Sequence, residues 1–246
     1  MNPLFPENTS LLATVLSAEE TLVAVAGGAG VIDVKNPSEG ALGAPAPSVI
    51  AAVRGATPDH IHVSAALGDM PFLPGTAALA AVGAASAGAS IVKVGLYGPS
   101  NPEEAFLLLE VTAGALRNSF PETVLVAGAY ADASRFGGID PLVVPECAAR
   151  AGAAGCLLDT FDKSPGHTLP DILPLDAIEF FIRSCRENGL FSALAGSLGT
   201  EETALLLPLR PDYLGYRGAL CENGRTGRLS GEKVRQISLA ITEGSR

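Results

Sequence analysis

The chain contains only four lysines, and two of them close short aliphatic runs, Val-Ile-Asp-Val-Lys (31–35) and Ile-Val-Lys (91–93). A third, Lys163, stands four residues beyond the aspartate that ends Gly-Cys-Leu-Leu-Asp (155–159). Lysine is ordinarily a surface residue and is almost never fully buried unless paired. A chain that spares surface lysines yet keeps them at the ends of apolar runs points to amine chemistry: attack on a carbonyl, or transfer of a proton. If the runs are β-strands, side chains alternate between faces, so Asp33 and Lys35 share one side and Ile32 and Val34 the other. The same alternation turns Lys93 and Asp159 inward, with Lys163 on the loop above. Three amines and two carboxylates then converge in one cleft. An amine crowded by other cations and by apolar walls is partly neutral near pH 7, the form a Schiff base requires, while a neighbouring carboxylate favours the ammonium. The alternative reading is a structural ion-pair network, and for Lys163 alone a plain solvated lysine.

Placing these residues requires a parallel sheet. Short apolar runs at 11–16, 31–35, 61–65, 91–96, 124–129, 155–160, 191–195 and 213–217 alternate with helix-like segments, the pattern of βαβ units. Helix starts are written in Ser17-Ala-Glu-Glu20 and Asn101-Pro-Glu-Glu104, and further ones at Asp140-Pro141, Thr200-Glu-Glu and Ser230-Gly-Glu. Gly28, Gly152 and Gly189 stand where the preceding helices should stop. Eight strand–helix units in 246 residues is the arithmetic of a (β/α)8 TIM barrel occupying the whole chain as one domain. A doubly wound open sheet is the competitor, disfavoured by the even spacing.

In such a barrel the chemistry sits at the C-terminal ends of the strands. Ala195-Gly196-Ser197 follows the seventh run and Arg217-Gly218 the eighth, where backbone N–H groups often hold a phosphate and Arg217 would add a fork of donors. A glycine after a strand is also commonly just a turn. The loop Asn223-Gly-Arg225-Thr-Gly-Arg228 either clamps a second phosphate or is an ordinary exposed loop. Tyr130 and Asp132 follow the fifth run and are expected to line the pocket; the bland reading of Asp132 is a turn former. Gly27-Gly28-Ala-Gly30 precedes a strand, whereas a dinucleotide fingerprint follows one, so it reads as a helix stop. His60 and His62 share a strand face near its entry end without an evident third ligand, so no metal site is expected. Asp33-Val-Lys35 matches the opening of the D-x-K-x-x-D array of orotidine-phosphate-type decarboxylases, but position 38 is Ser38.

A formal net charge of −10 argues against nucleic acid or an anionic membrane as partner, while leaving a small anionic substrate open. Cys147, Cys156, Cys185 and Cys221 have neither C-x-x-C nor metal-like spacing and read as reduced thiols. The N-terminal stretch lacks a basic region followed by an apolar core, and no apolar stretch is long enough to span a bilayer. A soluble cytoplasmic protein is the expectation.

Assembled, these residues carry a resemblance. Gly27-Gly-Ala-Gly-Val-Ile-Asp-Val-Lys-Asn-Pro-Ser-Glu-Gly40, Val63-Ser-Ala-Ala-Leu-Gly-Asp69, Val92-Lys-Val-Gly-Leu-Tyr-Gly98, Tyr130-Ala-Asp132, Leu158-Asp-Thr160, Leu194-Ala-Gly-Ser197 and Arg217-Gly-Ala219 together resemble the (5-formylfuran-3-yl)methyl phosphate synthase family nearly end to end. The resemblance implies a class I aldolase-like barrel acting on two triose phosphates. It implies that Lys35 forms the Schiff base and Lys93 accepts a proton. Asp33, Asp159 and Lys163 would support proton traffic and substrate orientation. No cofactor is implied, and a homo-oligomer is expected. The archaeal pattern has a further lysine leading into the fifth strand, where this chain has Pro121-Glu-Thr-Val124. Together with the low lysine content, this resembles the methylotrophic-bacterial branch, whose furan enters a methylofuran-like carrier.

Overall fold

Each of the eight runs forms a strand. The computed structural model, which describes residues 4–164 and 166–244, joins them in chain order into a closed parallel barrel. The first three residues of the N-terminal stretch lie outside the described residues. In order, β1 (Ser10–Val15) is followed by α1 (Ala18–Ala26), β2 (Val31–Val34) by α2 (Pro47–Ala56), β3 (His62–Ala66) by α3 (Pro74–Ser86) and β4 (Ile91–Gly95) by α4 (Pro102–Ser119). Then come β5 (Val124–Tyr130) with α5 (Val144–Ala151), and β6 (Gly155–Asp159) with α6 (Leu169–Ile172) and α7 (Leu175–Glu187). The last units are β7 (Phe191–Leu194) with α8 (Thr200–Leu206), and β8 (Tyr213–Tyr216) with α9 (Gly231–Gly244). The ring closes where β8 pairs with β1, Gly215 opposite Leu12 and Tyr216 opposite Ala13. Every strand bound agrees with the sequence pattern to within one residue.

The helix starts follow local chemistry. Ser17 and Asn101 cap α1 and α4, their side-chain oxygens accepting from the N–H of Glu20 (3.3 Å) and Glu104 (3.0 Å). Glu20 does not complete a capping box on Ser17; its Oε2 accepts from Leu16 N at 2.9 Å and is shared with a residue beyond neighbouring β8, described below. At α8 the cap is Gly199 rather than Thr200, and Glu202 accepts from Gly199 N at 2.8 Å.

Period-2 alternation builds two apolar shells. Ile32, Val34, Val63, Val92, Val94 and Leu158 face the helices. Val31, Ile91, Val126, Leu157, Phe191 and Tyr213 fill the barrel, with the rings of Phe191 and Tyr213 edge to face at 5.4 Å. Each such buried side chain contributes about 1.5–3 kcal/mol. A Cβ at Gly155 would lie 2.4 Å from the Phe191 ring, so only glycine leaves room for it there. The barrel is therefore packed and open only at its mouth.

Half of that mouth is plugged as well. Fully buried Leu42, from the loop after β2, descends over β4 and β5, where a Cβ at Gly128 would meet Leu42 Cδ1 at 2.6 Å. Asp69 fixes the plug: its Oδ2 accepts from Leu42 N at 3.0 Å and its Oδ1 from the Tyr130 hydroxyl. Tyr97 and Phe161 stack beside it with centroids 4.9 Å apart. Among the described residues no helix is long and apolar enough to cross a membrane. The four cysteines are free and buried.

Candidate active site

The unplugged half of the mouth holds a cavity of about 550 Å³ whose lining includes Asp33, Lys35, Lys93, Asp159 and Lys163. All five sequence-selected charges therefore meet. Asp33 and Asp159 are fully buried, Lys93 is 2% exposed and Lys35 9%. They form two units with a third amine between them.

In the first unit Lys93 Nζ donates to Asp33 Oδ1. Asp33 also accepts from Thr14 Oγ1 (3.0 Å, to Oδ2) and Ser64 Oγ (3.1 Å, to Oδ1). One carboxylate thus divides its charge among three donors. Burial pushes the Lys93 ammonium below the ordinary lysine range, more than Asp33 restores, and the charge of Lys35 pushes the same way.

In the second unit Lys163 Nζ donates to Asp159 Oδ1 at 2.5 Å and to Thr160 Oγ1 at 3.1 Å. Thr160 N also donates to Asp159 Oδ1, at 2.8 Å. Burial lowers Lys163 against the pull of Asp159, with Lys35 adding to the lowering. Burial would raise Asp159, but the charges of Lys163 and Lys35 and these hydrogen bonds outweigh it, leaving the carboxyl below its ordinary range.

Lys35 stands between the units. Its Nζ is 3.9 Å from Asp159 Oδ2, beyond hydrogen-bond reach, and that oxygen is buried without a hydrogen-bond partner among the described residues. Among the described residues, then, a buried acceptor without a donor faces an amine without a hydrogen-bond acceptor.

Gly196, Ser197 and Gly218 line the opposite wall. Gly196 (φ 118°) and Ser197 (φ 54°) are both left-handed, and a Cβ at Gly196 would lie 2.8 Å from Thr160 Cγ2. Their backbone N–H groups, like that of Gly218, donate to no acceptor among the described residues, which suits them to an anion.

Arg217 lines the cavity, as expected of it, but its fork is spent on the protein itself. Its Nε donates to Arg225 O (2.9 Å), Nη1 to Glu20 Oε2 (2.5 Å) and Thr14 O (3.3 Å), and Nη2 to Glu20 Oε1 (3.1 Å) and Gly227 O (2.7 Å). A guanidinium has five N–H groups, so none remains for a phosphate. The fork staples the loop after β8 to α1. Tyr130 and Asp132 do not line the cavity. Tyr130 belongs to the plug, and Asp132 accepts from Phe161 N (2.7 Å) and Asp162 N (2.8 Å), setting the turn that carries Lys163.

Thr14 and Ser64 are the site residues that the sequence reading passed over. Thr14 lies two beyond inward-facing Leu12, so alternation alone would have found it. His62 sits at the entry end of β3 with Nδ1 3.1 Å from Ser90 Oγ, and no group of three potential metal ligands occurs among the described residues. The Pro121–Val124 segment leads into β5 from the N-terminal end of the barrel. A seven-residue strand, about 20 Å long, separates it from the cavity.

A closed parallel barrel with lysines and aspartates gathered at the C-terminal ends of its strands defines the (β/α)8-barrel class. Solved structures of that architecture superpose over nearly the whole chain. 3-Hexulose-6-phosphate synthase matches with a TM-score of 0.62 at 19% identity over 93% of this chain and 99% of that one. Phosphoribosyl anthranilate isomerase from Thermus thermophilus matches with a TM-score of 0.61 at 18% identity, over 96% and 99%. The chain belongs to the 4-HFC-P synthase family, whose model matches residues 11–238. It is 44% identical to the (5-formylfuran-3-yl)methyl phosphate synthase of Methanothermobacter thermautotrophicus over 92% of this chain and 96% of that protein. It is 43% identical to that of Methanocaldococcus jannaschii over 92% and 97%.

Proposed function

We propose that the protein condenses two molecules of glyceraldehyde 3-phosphate into 4-(hydroxymethyl)-2-furancarboxaldehyde phosphate, releasing one phosphate and two waters, on the way to a methanofuran- or methylofuran-type carrier. The observation that carries this reading is the position of Lys35, which has no hydrogen bond among the described residues and faces Asp159 Oδ2, which likewise has none there. Lys35 adds as the free amine to a substrate carbonyl, and the hydroxyl of the resulting carbinolamine, beside Asp159 Oδ2, leaves as water with a proton that the Lys163 ammonium passes on through Asp159. The iminium acidifies the adjacent C–H, and Lys93, lowered by burial, takes that proton in its neutral form. The enamine attacks the second aldehyde. Elimination of phosphate, ring closure and dehydration then give the aromatic furan. The lysine is itself the electron sink, so the reading calls for no cofactor.

The test is incubation with glyceraldehyde 3-phosphate, read by mass spectrometry and by an inorganic phosphate assay, with borohydride added to trap the adduct. The expected result is a phosphorylated furaldehyde, phosphate release, and a trapped adduct on Lys35. Lys35→Met, folded by circular dichroism, should lose both trapping and at least about 10³-fold in kcat, as expected for removal of a covalent catalyst. Parent-like turnover by that variant would sink the Schiff-base reading. A six-carbon bisphosphate formed without phosphate release would replace it with an ordinary aldolase.

A further inference from the structure

The spent fork of Arg217 leaves the question of which cation meets a phosphate. Arg217 grips the loop 223–228 through the carbonyls of Arg225 and Gly227, and in doing so it fixes the backbone that presents the Arg225 side chain. Arg225 lines the cavity with Lys35, Lys163 and Gly218. Its guanidinium makes one contact, from Nη2 to the carbonyl of Gly40 at 3.3 Å, and forms no ion pair among the described residues. One arginine of the pair is therefore saturated and neutralised, while the other is held over the mouth with most of its donors unspent. The two walls also differ in place. Gly196 and Ser197 follow β7, whereas Arg225 bridges the loop after β8 to the loop after β2, on the side where Lys35 emerges.

We propose that Arg225 is the cation of a second anion subsite, one that takes the phosphate of a phosphate monoester, separate from the backbone cradle of Gly196 and Ser197. A phosphoryl oxygen replaces the Gly40 carbonyl as acceptor, so the exchange costs Arg225 one long hydrogen bond and gains a bidentate, charge-assisted pair. Partial burial strengthens that pair, because water competes less for it. The assignment rests on the two-substrate reading above: two triose phosphates bring two phosphates to one cavity, and each needs its own holder. In that scheme the cradle retains the phosphate that stays on the product and Arg225 receives the one that leaves.

The experiment is a calorimetric titration of the parent and Arg225→Gln with inorganic phosphate alone, in a phosphate-free buffer, beside steady-state kinetics on glyceraldehyde 3-phosphate. The parent should bind two phosphates per chain and the variant one. The variant should still be trapped on Lys35 by borohydride, yet show at least a tenfold higher KM, and Arg225→Lys should recover part of the loss. If the parent binds no more phosphate than Arg225→Gln, the subsite is refuted. If phosphate stoichiometry falls from two to one but the parent leaves glyceraldehyde 3-phosphate unchanged, the subsite stands and the proposed reaction fails. Arg225 is half-exposed with one weak contact, so the variant should melt with the parent.

Discussion

The chemistry of single residues here is set by who shares a charge with whom. Asp33 is divided among Lys93, Thr14 and Ser64, and this division limits how firmly it can hold a proton on Lys93. Thr14→Val removes one donor at nearly constant shape, leaving the carboxylate more basic toward Lys93. The Lys93 ammonium should then be stabilised and its pKa should rise. If neutral Lys93 takes the proton, activity rises with pH through a limb placed below the ordinary lysine range by burial. In Thr14→Val that limb should move to higher pH, with the plateau rate little changed, as read from kcat against pH. An unmoved limb would show that some other group sets it. The three amines and two aspartates were legible in the sequence because burial of so few lysines is anomalous. Thr14 and Ser64 were not singled out, because a hydroxyl in a strand carries no such anomaly.

Elements place these residues, and the loops after them decide what they can reach. The strands were legible to within one residue, since alternating aliphatic runs leave little freedom in register. What the loops do was not legible, because it depends on partners far away in sequence. Leu42 plugs the half of the mouth where Tyr130 was expected to line the pocket, and Asp132 spends itself on a turn. Arg217 was read as a phosphate ligand, but Glu20 faces it across the barrel seam. Removing one member of such a pair leaves a mostly buried opposite charge, which costs about 3 kcal/mol when its partner retains some solvent. Arg217→Met should therefore lower the melting temperature by roughly 6–12 °C for a chain of this size. It should also raise the sensitivity of residues 223–228 to proteolysis, both measured against the parent. A variant that melts with the parent but loses phosphate affinity would reassign Arg217 to the ligand.

At the scale of the whole molecule, every strand is hydrogen-bonded on both sides, and the inner and outer apolar shells each draw on all parts of the chain. No run of units can be removed without exposing a sheet edge and opening both shells. Urea unfolding followed by far-UV circular dichroism should accordingly show one cooperative transition. Inorganic phosphate at a hundred times its Kd should raise the stability by about 2.7 kcal/mol for each site it fills, provided it binds only the folded barrel. Two separated transitions would show that part of the ring survives the loss of the rest. The barrel could be inferred from the count and spacing of its units. Its asymmetry, with one half of the mouth plugged and the other charged, comes from tertiary contacts that no local pattern records.

The clasp between Arg217 and Glu20 joins residues 197 positions apart in the chain. A ribosome delivers Glu20, Asp33, Lys35 and Lys93 well before Arg217. Until β8 emerges the seam stays open, and water reaches the amines from the side that the finished ring closes. On a growing chain these lysines are surrounded by water. Their burial begins only when β8 closes the ring.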